Sequence, residues 1–141
     1  MSSAQRAAGA VIYLIEERPL YLVLHNRLGW DFPHGLIRQN ETEEAAALRE
    51  IYEETHLKVE FVPGFRENVF LRFSRGGRTI YKEIVMYLAK AAGGEVILSS
   101  EHDDYAWLDY ADALLRLSRD EMRRVLIKAN SFIERLLIRA R

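Results

Sequence analysis

Gly35-Leu-Ile-Arg-Gln-Asn-Glu41 and, eight residues on, Arg49-Glu50-Ile51-Tyr52-Glu53-Glu54-Thr55-His56-Leu57 bring four glutamates and two arginines onto a loop and the segment after it. Thr42 to Thr55 contains neither Gly nor Pro, and Thr42 or Asn40 is available as a cap, so the segment is predicted to be a helix. At about 100° per residue, Ala45, Leu48, Ile51, Tyr52 and Thr55 share one side, and Glu50, Glu53 and Glu54 share the other. Ala46 falls one turn before Glu50 on the acidic side, which leaves room there for a ligand. Glu50 stands at i, i+3 to Glu53 and i, i+4 to Glu54, spacings at which like charges repel by about 0.2–0.5 kcal/mol per pair. The cluster becomes favourable once a cation joins it, and hard oxygen ligands of this kind suit Mg²⁺ or Mn²⁺. Arg49, four residues before Glu53, is placed to orient that carboxylate through charge-assisted hydrogen bonds.

Outward from the helix, Ala7 to Ile15 and Leu20 to Asn26 are apolar, partly β-branched runs flanking Glu16-Glu17-Arg18-Pro19, which predicts an opening hairpin. Lys58 to Val62, Phe65 to Ser74 and Thr79 to Lys90 read as strands, the last two joined across Gly76-Gly77. Tyr105 to Leu108 reads as one more short strand. Between Ser118 and Arg141 the apolar residues Met122, Val125, Leu126, Ala129, Ile133, Leu136 and Leu137 recur at three and four, the pattern of an amphipathic helix packed on a sheet. Strands on both sides of a central helix, with another helix at the end, predict an α/β fold in which a mixed sheet lies between helices.

A length of 141 residues without a Pro/Gly/Ser-rich linker predicts one domain over 1–141. The balance of 49% hydrophobic and 29% charged residues is that of a soluble globular chain. No run approaches the roughly 20 apolar residues of a membrane span, so no membrane partner is expected. The opening Met-Ser-Ser-Ala-Gln-Arg lacks the apolar core of a secretory signal, and the chain has no cysteine, which predicts a cytoplasmic address and excludes disulfides and thiolate metal sites. A net charge of −1 gives no global field for nucleic acid, although Arg72, Arg75 and Arg78 cluster locally.

The two quoted segments together resemble the Nudix box, G-x5-E-x7-R-E-U-x-E-E-x-G-U with U aliphatic, at every position but one. Chance agreement at the Gly, Arg and Glu positions is on the order of one in ten thousand from residue usage. The departure is His56, where the family carries a glycine that closes the helix in a left-handed conformation. The resemblance implies an α/β/α sandwich and metal-dependent attack of water on a phosphorus of a nucleoside diphosphate linked to a further group. It implies Glu50 and Glu54 as metal ligands and Glu53 as a ligand or the water-activating base. Arg49 would be the orienting residue, Gly35 a ligand through its carbonyl, and Glu41 a supporting acid.

Around the box the likeness narrows. Trp30-Asp-Phe-Pro-His-Gly35 resembles W-x-x-P-K-G, and Ser100-Glu101-His102-Asp-Asp-Tyr105-Ala-Trp107-Leu108 resembles a late segment of the asymmetric diadenosine tetraphosphate hydrolases. That resemblance implies a phosphate-binding role for Lys82, a ligand or general-base role for Glu101, and a phosphate contact at His34, in place of the motif lysine, that depends on the imidazole's protonation. Phe70, Phe73 and Tyr87 are the candidates by position to stack on a base, and Arg119, standing where the family tends to carry an aromatic, offers a guanidinium plane. The expected activity is conversion of diadenosine tetraphosphate to ATP and AMP by a monomer or dimer. The alternatives are an RNA 5′-pyrophosphohydrolase, which would add nucleic acid as a partner, a nucleoside triphosphate pyrophosphatase, and a catalytically silent nucleotide-binding domain.

Overall fold

The computed structural model describes residues 2–140. Seven strands and three helices follow one another as β1 (Ser2–Ile15), β2 (Pro19–Asn26), β3 (Gly29–Asp31), β4 (His34–Leu36), α1 (Glu43–Thr55), β5 (Val59–Arg75), β6 (Arg78–Ala91), β7 (Asp104–Leu108), α2 (Tyr110–Arg116) and α3 (Asp120–Arg139). The sheet runs β3-β2-β1-β6-β5, with β4 added to β1 and β7 to β2. Only β1 and β6 are parallel, from Ser2↔Thr79 to Tyr13↔Lys90, so the sheet is mixed as expected.

Alternation along the two central strands separates two cores. Ala7, Val11, Ile84, Met86 and Leu88 point to the side covered by α3, where Met122, Val125, Leu126, Ala129 and Ile133 meet them. Ala8, Ala10, Ile12, Val85, Tyr87 and Ala89 point to the side covered by α1. The result is the α/β/α sandwich that the sequence predicts. No helix among the described residues is long and apolar enough to cross a membrane.

Three features differ from the sequence-based expectation. β3, β4 and α2 were not anticipated, and the two strands expected at 58–62 and 65–74 form one strand whose register shifts between Phe61 and Arg66, around Pro63-Gly64. In α1 the buried residues are Ala46, Ala47, Ile51, Glu54 and Thr55, whereas Leu48 and Tyr52 are exposed. The helix thus presents the Ala46–Glu54 edge to the sheet, and Ala46 is packed in the core rather than facing a ligand. Alanines allow that close approach to β1, and Glu54 is carried inward with them.

His56 takes the helix-closing role despite its side chain, at φ 61° and ψ 12°, with its N–H donating to the Tyr52 carbonyl. Its ring Nδ1 lies 2.9 Å from the Ile97 carbonyl oxygen, a partner that fixes Nδ1 as the protonated nitrogen. This bond offsets part of the left-handed strain. Replacement by Val, which forfeits the bond and tolerates positive φ worst, is expected to cost about 1–2 kcal/mol in urea denaturation. His56→Gly is expected to stay within about 1 kcal/mol of the parent, because relief of strain and loss of the bond oppose one another.

Candidate active site

The acidic segment is organised by Arg49. Thr42 caps α1, its hydroxyl accepting from the Ala45 N–H, and so sets the phase of the helix that follows. Arg49 then reaches back to Glu41, Nε to Oε2 at 2.7 Å and Nη2 to Oε1 at 2.8 Å, and donates to the Leu36 carbonyl at 3.0 Å. It also grips Glu50 Oε1 at 2.7 Å, while its bond to Glu53 Oε2 is longer, 3.4 Å. The orienting contact therefore falls on Glu41 and Glu50 before Glu53. Arg49, and after it the Arg38 backbone N–H, hold the Glu41 carboxyl down at about 2. Glu53 is half-exposed and also faces Arg38 at 3.5 Å.

Gly35, on β4, lies against Glu50 so closely that a Cβ there would meet the Glu50 carboxylate carbon at 2.1 Å. Glycine is what lets the carboxylate and the Gly35 backbone share this space.

Glu54 is the most perturbed of the acids. Its side chain is 7% exposed, and its Oε2 has no hydrogen-bond partner. Burial, reinforced by the charges of Glu50 and Glu101, pushes its carboxyl up to about 9. His102, equally buried, places Nε2 3.6 Å from Glu54 Oε1 and leaves its Nδ1 without a partner. Burial holds the imidazole below its ordinary value.

A cleft of about 200 Å³ opens at this point, lined by Trp30, Asp31, His34, Glu54, Lys82, Glu101, His102 and Arg119, among others. Of the residues expected from sequence, Glu54, Glu101, His34 and Lys82 thus come together. His34 Nδ1 sits 2.8 Å from the Phe32 carbonyl, which assigns the proton to Nδ1 and leaves Nε2 for a ligand. Neither Glu50, which packs against Gly35, nor Glu53, half-exposed on the helix surface, is among the residues that line the cleft.

The three aromatic candidates disperse. Tyr87 is buried on the α1 side, stacked on Phe61 at 4.9 Å, and faces away from Lys82. Phe70, opposite Glu83 in the register, is exposed on the Tyr87 side of the sheet. Only Phe73, paired with Ile80, shares the Lys82 face, and the Arg75 guanidinium lies 5.5 Å over its ring. Asp31 and Ser118, which also line the cleft, were not singled out from sequence, since each comes from a separate loop or strand end with no periodicity to mark it.

The NUDIX domain family matches residues 4–129, and the chain belongs to this family of hydrolases. It is 32% identical over 103 residues to an 8-oxo-(d)GTP phosphatase of Mycolicibacterium smegmatis, covering 69% of this chain and 29% of that one. To the asymmetrical bis(5′-nucleosyl)-tetraphosphatase of Mus musculus it is 29% identical over 109 residues, 74% of this chain and 71% of that one. The fold is similar to a C. elegans Ap4A hydrolase binary complex, with a TM-score of 0.82 and 28% identity, covering 92% of this chain and 98% of that one. Together with MutT4 of Mycobacterium tuberculosis, 44% covered, the mycobacterial relatives are matched over less than half of their length.

Nudix hydrolases use divalent metal ions, and the donors here fit one. A buried carboxylate oxygen without a partner, amid further carboxylates, is stabilised in its charged form by a hard cation. Among the described residues no three acidic or histidine side chains form a complete cage. An ion held by two or three of these oxygens would complete its shell with water and substrate phosphates, the usual habit of Mg²⁺.

Proposed function

We propose that this chain, acting as one domain, hydrolyses a phosphoanhydride bond of nucleoside polyphosphates with a divalent cation, and that its preferred substrate is a dinucleoside tetraphosphate cut asymmetrically into nucleoside tri- and monophosphate. The observation that carries the reading is the cleft itself, whose lining brings the carboxylates of Glu54 and Glu101 together with Lys82 and His34, acids to hold a cation beside groups that can meet a phosphate chain. The tetraphosphate preference is supported by the likeness to the mouse and C. elegans proteins and by the Ser100–Leu108 segment.

In this reading Glu50, Glu54 and Glu101, with the Gly35 carbonyl, hold Mg²⁺ or Mn²⁺. The ion supplies neutralisation of phosphate charge and acidification of a water. Arg49 fixes Glu50 and restrains Glu53. Either Glu53 or Glu101 accepts the proton of the attacking water as its oxygen bonds to phosphorus and the bridging P–O bond breaks. Lys82, and the His34 Nε2–H when the imidazole is protonated, hold the non-bridging oxygens, and Phe73 is the one aromatic candidate on the same sheet face. A second reading, nucleoside triphosphate hydrolysis, is favoured by the M. smegmatis relative.

The deciding experiment incubates the protein with Mg²⁺ and, separately, diadenosine tetraphosphate, nucleoside triphosphates including oxidised guanine forms, and 5′-triphosphate RNA, and resolves the products. ATP plus AMP from the dinucleotide, at the highest kcat/KM of the panel, is expected. Faster turnover of a triphosphate or of RNA ends would replace the tetraphosphate reading, and no turnover at all would identify a silent nucleotide-binding domain.

A further inference from the structure

Lys82 and Arg119 line one cleft, and neither is satisfied by the protein. Lys82 is half-buried and has no hydrogen-bond or ion-pair partner among the described residues. Among the described residues the ion-pair contact of Arg119 is with Asp31, at 3.8 Å from Nε, too far for a hydrogen bond. Burial, and next the Arg119 charge, lowers the Lys82 ammonium from its usual value, so the two cations repel one another. Asp31 is the carboxylate they share, and it cannot neutralise both.

Arg119 is nonetheless held at this place. Ser118 accepts the Trp30 N–H on its hydroxyl at 2.8 Å and donates its own N–H to the Trp30 carbonyl at 3.1 Å, which ties the start of α3 to β3 beside the cleft. The Trp30 ring at this wall is already engaged by the protein, with the Arg116 guanidinium 4.9 Å over it and the His25 ring centroid 5.0 Å away. This wall of the cleft is equipped to read charge rather than a base.

We infer that Arg119 is a specificity-determining residue which, together with Lys82, grips the part of the phosphate chain that the acidic wall does not hold, and so favours longer chains. The inference rests on the polyphosphate reading above. A guanidinium with uncommitted donors makes paired bonds to phosphate oxygens, and two separated cations gain most from an anion long enough to touch both.

The test compares the parent with Arg119→Ser and Arg119→Lys; serine is a favoured residue at a helix N-cap, so the start of α3 is kept. Values of kcat/KM are measured with Mg²⁺ for diadenosine tri-, tetra- and pentaphosphate, and binding of inorganic tripolyphosphate and orthophosphate is followed by calorimetry in metal-free buffer. Arg119→Ser is expected to lose about tenfold or more in kcat/KM on the tetra- and pentaphosphate, through KM, with a smaller loss on the triphosphate. Tripolyphosphate should bind about tenfold more weakly while orthophosphate changes little, and Arg119→Lys, which keeps the charge but not the paired donors, should recover only part of both effects. Unchanged tripolyphosphate affinity, an equal loss at every chain length as base stacking would give, or a loss carried by kcat would overturn the inference. Should the parent turn over none of the three dinucleotides, the functional reading fails, and the tripolyphosphate titration still decides the role of Arg119.

Discussion

Glu54→Gln is expected to make the protein more stable and far less active. In metal-free buffer the folded chain holds the Glu54 carboxyl at about 9, against 4.5 for an ordinary glutamate. Below pH 4.5 both the folded and unfolded chains carry the proton. As pH rises from there toward 9 the unfolded chain releases it and the folded chain does not, so the unfolded state binds fewer protons and stability falls by up to about 1.4 kcal/mol per pH unit. The amide cannot ionise and occupies nearly the same space, so thermal melts in EDTA should show the variant several degrees above the parent at pH 8, with the gap closing near pH 5. Mg²⁺ or Mn²⁺ should narrow the gap from the other side by stabilising the parent. Turnover by the variant should fall about a thousandfold or more if Glu54 is a metal ligand. Glu53→Gln supplies the contrast: Glu53 is half-exposed between Arg38 and Arg49, so its loss of charge should leave the melting temperature within a few degrees while activity falls by orders of magnitude. A Glu54→Gln protein melting below the parent at pH 8 would show that the carboxylate is already satisfied. Near-normal turnover by either variant would remove that residue from the mechanism.

The difference between those two glutamates was only half legible in the sequence. The box residues pointed to the acids and the arginine, but projecting α1 on a wheel put all three glutamates on the side opposite the core. That wheel weighted Leu48 and Tyr52 as buried, whereas the sheet takes the small side chains Ala46 and Ala47, because alanine lets the helix come nearest to β1. The elements that went unread are those too short to show a period: three residues each in β3 and β4, seven in α2. The two short strands deliver Trp30, Asp31 and His34 to the cleft, and the turn after α2 delivers Ser118 and Arg119. The separation of Tyr87 from Lys82, by contrast, was readable: an odd spacing on one strand puts two side chains on opposite faces. Position in a motif had outweighed alternation.

Gly9→Ala is expected to be the most destructive single substitution in the sheet. Gly9 pairs with His34 in the β1–β4 register, and a Cβ there would meet the Pro33 carbonyl oxygen at 2.1 Å, the His34 Cβ at 2.5 Å and the His34 Cα at 2.7 Å. Two of these are backbone atoms, and Pro33 is also tied to β1 through its carbonyl, which accepts the Ala10 N–H at 3.2 Å. No rotamer change relieves the clash, so β4 must move as a unit. A cost of about 3 kcal/mol or more is expected, from overpacking and from the lost β1–β4 bonds. The same shift would carry His34 and Gly35 away from Glu54 and Glu50, so that any folded fraction should lose nucleotide hydrolysis as well. Gly35→Ala separates the two effects. Its added methyl would meet the far end of the Glu50 side chain, which can turn aside, so urea denaturation should show a loss of about 1 kcal/mol or less. Glu50, however, could no longer lie against the β4 backbone while gripped by Arg49, and activity should fall about a hundredfold. Equal stabilities for the two alanine variants would mean that β4 yields freely at Gly9; full activity in Gly35→Ala would mean that the packing of Glu50 on β4 has no part in catalysis.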